Sequence, residues 1–120
     1  MRILIAEDER RLAGAIARGL RREGMAVDIT HDGASALAMV GEFHPDVVLL
    51  DIGLPKGDGV EIARRIRSGG ALPGAMLIAL SGYQASRRPG SDGAGFDAWL
   101  VKPIEGETLR RLIFKETHPK

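Results

Sequence analysis

Val47-Val48-Leu49-Leu50-Asp51 runs four apolar residues into a carboxylate, followed by Ile52-Gly53-Leu54-Pro55. A continuous apolar run bounded by turn residues is the pattern of a strand covered on both faces. Asp51 then stands at the carboxyl end of that strand, the edge at which open α/β sheets bind ligands. A carboxylate there loses water, and a cation or a set of hydrogen bonds has to compensate it. The compensating groups must come from elsewhere in the chain.

Outward from this strand, the same grammar repeats. Arg2-Ile3-Leu4-Ile5-Ala6 predicts a first buried strand, running into the acids Glu7-Asp8-Glu9. From Arg10 to Glu23, Leu12, Ile16 and Leu20 recur at helical spacing with Ala13 and Ala17 beside them, and Gly24 supplies a stop. Ala26 to Thr30 predicts a second strand. Asp32 or Ser35 can cap a short helix through Ala36, Leu37 and Val40, ended by Gly41. Pro45 introduces the Asp51 strand. Gly57-Asp58-Gly59 is turn chemistry, with Asp58 as a cap for a helix through Val60, Ile62, Ala63 and Ile66 that stops at Ser68-Gly69-Gly70.

Ala75 to Leu80 predicts a fourth strand buried on both faces, stopping at Ser81-Gly82. Ala98-Trp99-Leu100-Val101 predicts a short fifth, ending at Lys102-Pro103, and Glu105 to Glu116 a last helix with Leu109, Leu112 and Ile113 inward. The slot from Gln84 to Gly95 breaks the rhythm, since it holds Pro89, Gly90, Gly93 and Gly95. Proline costs ~3 kcal/mol inside a helix and each glycine ~1. A short or irregular fourth helix is the expectation there. The alternation is a single (βα)5 unit over residues 1–120: an α/β fold with a five-stranded parallel sheet and helices on both faces.

Composition narrows the function. The 120 residues are 44% apolar, enough for one real core, and the net charge of +1 gives no bulk field for nucleic acid or membrane. With no cysteine, disulfides, thiol catalysis and Cys-ligated zinc are excluded. There is no signal-peptide pattern, and no apolar run approaches a membrane span, so a cytoplasmic location is expected.

In a parallel sheet all carboxyl ends share one edge. Glu7 and Asp8, Asp51, Ser81 and Lys102 all lie at predicted strand ends, so they converge there. Clustered carboxylates repel, and a hard dication such as Mg²⁺ resolves the conflict. A hydroxyl and an ammonium beside the acids suit an anion. Together these are the parts of a phosphoryl-transfer site, where positioning and charge neutralisation do most of the work.

With Glu7-Asp8, Asp51 in LLDIGLP, Gly57-Asp58-Gly59, Ser81-Gly82 and Lys102-Pro103 in this order and spacing, the whole chain resembles a receiver domain of two-component response regulators. The resemblance implies a flavodoxin-like strand order of 2-1-3-4-5. It makes Asp51 the phosphoacceptor for a sensor histidine kinase or a histidine phosphotransfer protein. It implies that Asp8, Asp51 and the backbone carbonyl of Gly53 hold Mg²⁺, with Glu7 acting directly or through water. Ser81 would hydrogen-bond the phosphoryl group and Lys102 would pair with it. Gly82 would leave it room, and Trp99 would stand at the switch aromatic, whose rotamer follows Ser81. It also implies a cis Lys102-Pro103 bond. The output partner is unspecified, and this stretch would bind neither nucleic acid nor membrane. Its chemistry would be confined to gaining and losing its own phosphoryl group.

Each piece has a plainer reading when taken singly. Glu7-Asp8-Glu9 is also a charged helix start, Ser81-Gly82 a strand-end turn, Lys102 a solvated lysine, and Trp99 an edge-strand packing residue. The arginines at 10, 11, 18, 21 and 22 read as the wet face of the first helix, and His31, His44 and His118 as surface residues. The Gln84 to Gly95 region also departs from the family's pattern, so a dimer surface built on a fourth helix is expected to be remodelled. Gly53 and Tyr83 flank the phosphoryl position, which predicts slow self-dephosphorylation. Three other classes compete. A pseudo-receiver that only binds partners would not need all five polar residues. A small phosphatase would place a second Asp where Gly53 stands. A nucleotide site would follow its first strand with a Gly-rich loop rather than with acids.

Overall fold

The computed structural model describes residues 1–54, 59–68, 74–82 and 95–117. Its elements are β1 (Arg2–Ala6), α1 (Arg10–Arg22), β2 (Ala26–Thr30), α2 (Gly33–Phe43), β3 (Val47–Asp51), α3 (Gly59–Ser68), β4 (Met76–Ser81), β5 (Ala98–Val101) and α4 (Gly106–Thr117). The strands form one sheet in the order β2-β1-β3-β4-β5, and every pairing is parallel. This is the strand order of the flavodoxin-like fold. The irregular fourth helix expected from Gln84 to Gly95 lies, apart from Gly95 itself, outside the described residues. The same holds for Asp58 and for His118.

Strand alternation divides the core. Ile3 and Ile5, Val47 and Leu49, and Ile78 and Leu80 face one side, where Ala13, Ile16, Ala17 and Leu20 of α1 and Leu109 and Ile113 of α4 cover them. Leu4 and Ala6, Val48 and Leu50, and Leu77 face the other, under Ala36 and Val40 of α2 and Ile62, Ala63 and Ile66 of α3. Because β1, β3 and β4 are covered twice, they read as unbroken apolar runs. At ~25 cal/mol per Å² of buried apolar surface, these two layers supply most of the drive to fold.

Element ends shift slightly from expectation, for local reasons. Asp32, not Ser35, caps α2, its Oδ1 accepting the Ser35 N–H at 2.8 Å. That helix runs past Gly41 to Phe43, because His44 adopts the left-handed conformation (φ 50°) and donates its N–H to the Val40 carbonyl at 3.2 Å. The Phe43 ring lies under the Arg2 guanidinium, 4.3 Å from its centroid, which holds the helix end against β1. At the opposite end of the sheet from the acids, Arg67 of α3 donates to the carbonyls of Gly95 (3.0 Å) and Ala75 (2.8 Å) and to Asp97 Oδ2 (2.7 Å). That guanidinium fork ties α3 to the starts of β4 and β5.

Gly59 has a geometric duty at the important edge. Its N–H donates to the Ile52 carbonyl at 3.2 Å, and a Cβ there would overlap the Ile52 Cα and stand 2.8 Å from the Asp51 carbonyl. Only glycine lets α3 begin this close to the end of β3. Around Gly19 of α1, by contrast, there is open space. Gly59→Ala is therefore expected to lower unfolding stability by roughly 2–4 kcal/mol, and Gly19→Ala to raise it by roughly 0.5–1 kcal/mol. Urea unfolding of the two variants checks the pair.

Candidate functional site

Three strand ends deliver charge to one point. The alternation that puts Ile5, Leu49 and Leu100 on the α1/α4 side puts Glu7, Asp51 and Lys102, two residues further along each strand path, on that side too. The backbone extends the ladders to hold them there. Ile52 N–H donates to the Leu80 carbonyl at 3.0 Å and Lys102 N–H to the Ser81 carbonyl at 2.8 Å. The Lys102-Pro103 peptide bond is cis.

Lys102 Nζ sits among the acids. It donates to Asp51 Oδ2 and to Glu7 Oε2, each at 3.2 Å, and lies 3.0 Å from Glu7 Oε1 and 3.7 Å from Glu9 Oε1. Glu7 is fully buried and Asp51 only 5% exposed. Asp51 Oδ1 accepts the Gly53 N–H at 2.9 Å, and Glu7 Oε2 accepts the Glu9 N–H at 3.0 Å. Glu7 Oε1 is different. It is close to the ammonium but poorly aligned with it, and it makes no hydrogen bond among the described residues.

These surroundings perturb the charges. Burial pushes the Glu7 carboxyl up to about 7, with nearby Asp51 adding to the rise, against the Glu9 N–H and Lys102, which favour the ionised form. Burial works against the Lys102 ammonium, but Glu7 and Asp51 outweigh it and hold its pKa above the ordinary lysine value.

Glu7, Asp8 and Asp51 each bring a carboxylate oxygen within 4.8 Å of the others, a group that could hold a metal ion. Asp8 is the exposed member. A single ammonium does not balance three carboxylates. The spare, buried Glu7 Oε1 and an all-oxygen donor set fit a hard cation. Gly53 is placed at the rim, where its N–H is the group seen on Asp51.

Ser81 and Trp99 stand on the other face of this edge. Ser81 pairs with Val101 and Trp99 with Ala79, and both alternate with residues of the α1/α4 layer. They are therefore diagonal neighbours on adjacent strands. Ser81 is fully buried and its Oγ has no hydrogen-bond partner among the described residues. Trp99 is half-buried. Gly82 is exposed, and a Cβ there would meet nothing within 4 Å among the described residues, so none of these demands its smallness. Tyr83, expected to shield this region, lies outside the described residues.

One residue read as surface is not. His31 is half-buried, with Nδ1 2.8 Å from the Glu7 carbonyl oxygen. The pairing of Ala6 with Thr30 foreshadows it, because one further step along both strands sets His31 beside Glu7. His44 is exposed, as expected.

Comparison with known proteins identifies the family. Residues 3–114 match the response regulator receiver domain family. The chain is 44% identical over 104 residues to the transcriptional regulatory protein CutR of Streptomyces coelicolor, covering 87% of this chain and 48% of the relative. It is 36% identical over 124 residues to the response regulator MprA of Mycobacterium avium, covering 100% of this chain and 54% of that one. The chain thus spans about half the length of these curated relatives. Among solved structures, a CheY-like receiver domain protein from Methanospirillum hungatei superposes with a TM-score of 0.87 at 30% identity, over 96% of this chain and 91% of that one. A Burkholderia pseudomallei response regulator, solved with a phosphorylated aspartic acid, a calcium ion and citrate, gives 0.83 at 27% identity, over 97% and 68%. The chain belongs to the response regulator receiver domain family. No described helix is long and apolar enough to cross a membrane.

The burial of Glu7 has a pH consequence. Its folded pKa of about 7 lies above its ordinary 4.5, so between these values the native state holds a proton that the unfolded chain has released. Metal-free stability therefore falls as pH rises through that window. Glu7→Gln removes this slope. Above about pH 7 it should be more stable than wild type by on the order of 1–3 kcal/mol, measured by urea unfolding in chelator.

Proposed function

We propose that this domain is a phosphorylation switch of a two-component pathway, with Asp51 accepting a phosphoryl group from a sensor histidine kinase or a histidine phosphotransfer protein. The observation that carries the reading is the Lys102 ammonium held between the Asp51 and Glu7 carboxylates, within a trio of acids at the carboxyl edge of the sheet. The phosphorylated aspartic acid of the Burkholderia relative supports it.

An oxygen of Asp51 attacks phosphorus, an O–P bond forms, and the N–P bond of the donor histidine breaks. Asp51 is buried enough to lie clear of bulk water yet open enough to be reached. Its fixed Oδ1, on the Gly53 N–H, sets the carboxylate plane. Lys102 already faces Asp51 and is placed to pair with the phosphoryl oxygens as charge builds there. Ser81 Oγ, buried without a hydrogen-bond partner among the described residues, would donate to one of those oxygens, and Trp99 is the aromatic proposed to respond to it.

Mg²⁺ is the cation this reading assigns to Glu7, Asp8, Asp51 and the Gly53 carbonyl. When bound it neutralises the carboxylates and the incoming phosphoryl charge. The domain is read as a switch rather than as an enzyme with an external substrate, acting in the cytoplasm on an output partner or domain. Half of the length of its curated relatives lies outside the matched region, where such an output can reside.

Acetyl phosphate with Mg²⁺ should add one phosphoryl mass to wild type and none to Asp51→Asn. Lys102→Ala should retain Mg²⁺ binding but lose at least ~10-fold in phosphorylation rate. Intact-mass spectrometry over time checks both. Labelling of Asp51→Asn at the wild-type rate would refute the assignment. A wild type that takes no label would favour the pseudo-receiver reading.

A further inference from the structure

The β1–β2 ladder outruns its strands by one bond, with Glu7 N–H donating to the Thr30 carbonyl at 3.0 Å. The next group outward is the Glu7 carbonyl, and no strand residue remains to pair with it. His31 fills that place, its Nδ1 2.8 Å from the oxygen. A carbonyl oxygen only accepts, so Nδ1 carries the proton and donates.

The consequence runs through the backbone. The Glu7 carbonyl and the Asp8 N–H belong to one rigid peptide plane. Fixing its oxygen fixes the rotation of that plane, and with it the point from which the Asp8 side chain departs. Asp8 needs such support. It is the exposed member of the acid trio, and no hydrogen bond or ion pair among the described residues holds its carboxylate. Glu7 and Asp51 are already fixed by Lys102 and by backbone N–H groups.

We infer that His31 is a positioning residue for the cation site: its Nδ1–H holds the Glu7–Asp8 peptide so that the Asp8 carboxylate faces Glu7 and Asp51. The inference rests on the proposed Mg²⁺ site. It differs from the usual outer-shell contact in gripping the main chain rather than a ligating side chain.

The test is a titration of the whole chain with MgCl₂, followed by the Asp8 and Glu9 amide signals in ¹H–¹⁵N spectra. His31→Ala removes the donor. His31→Leu also removes it while filling the ring's space. His31→Asn restores an N–H donor the same number of bonds from Cβ as Nδ1. Loss of an outer-shell partner to a metal ligand costs ~10–100-fold in affinity, and one acting through the backbone should cost ~3–10-fold. The expected result is that weakening in both Ala and Leu variants, with Asn recovering to within about 2-fold of wild type. Imidazole ¹⁵N shifts of metal-free wild type should show the Nδ1-protonated tautomer. Wild-type affinity in the Leu variant, or an Asn variant as weak as Ala, overturns the role of His31 and leaves the phosphoacceptor reading intact. Absence of any Mg²⁺ response in wild type overturns both.

Discussion

The site is built around one electrostatic arrangement, an ammonium inserted between carboxylates that have little water of their own. Glu7 is wholly buried and Asp51 nearly so, and Lys102 touches both. Such a cluster is costly to assemble. Its attraction offsets its desolvation only if the partners are held rigidly and their remaining lone pairs are satisfied. The Gly53 and Glu9 N–H groups satisfy two of them. The spare Glu7 Oε1 and the raised Glu7 pKa are what remains unbalanced. A folded state with unresolved negative charge is one that gains from a cation, and the proposed function uses that gain.

The scaffold explains why the arrangement is possible. Parallel pairing places every strand's carboxyl end at one edge, so residues 7, 51 and 102 meet although they are far apart in sequence. Two-sided coverage of β1 and β3 makes the floor beneath the acids apolar and rigid. Gly59 lets α3 start against the end of β3, and the His31 ring sits on the Glu7 carbonyl at the end of the β1–β2 ladder. Lys102, Glu7 and Asp51 share one side of the edge, while Ser81 and Trp99 share the other.

Much of this was legible in the sequence, because it depends on short-range patterns. Runs such as VVLLD and MLIALS announce doubly covered strands, and the alternation of strands with helices implies a parallel sheet and therefore a shared edge. The family resemblance rested on acids, hydroxyl and lysine at strand ends, and residues 3–114 match that family. Less legible were effects that arise only when strands are in register. His31 is a polar residue in a polar turn until Ala6 is seen opposite Thr30. The Arg67 fork is an ordinary helical arginine until Ala75, Gly95 and Asp97 come together. The α2 end passed Gly41 because a non-glycine residue, His44, took the left-handed turn, a choice that Phe43 packing under Arg2 reinforces.

If the proposed cation site is right, Lys102 and a divalent cation answer the same excess of negative charge. Urea unfolding of Lys102→Met against wild type near pH 8, with chelator and with Mg²⁺, measures this directly. Lys102→Met is expected to be markedly less stable in chelator, and Mg²⁺ to stabilise it by more than it stabilises wild type, narrowing the gap. A variant as stable as wild type in chelator, or a gap that Mg²⁺ leaves unchanged, would contradict it.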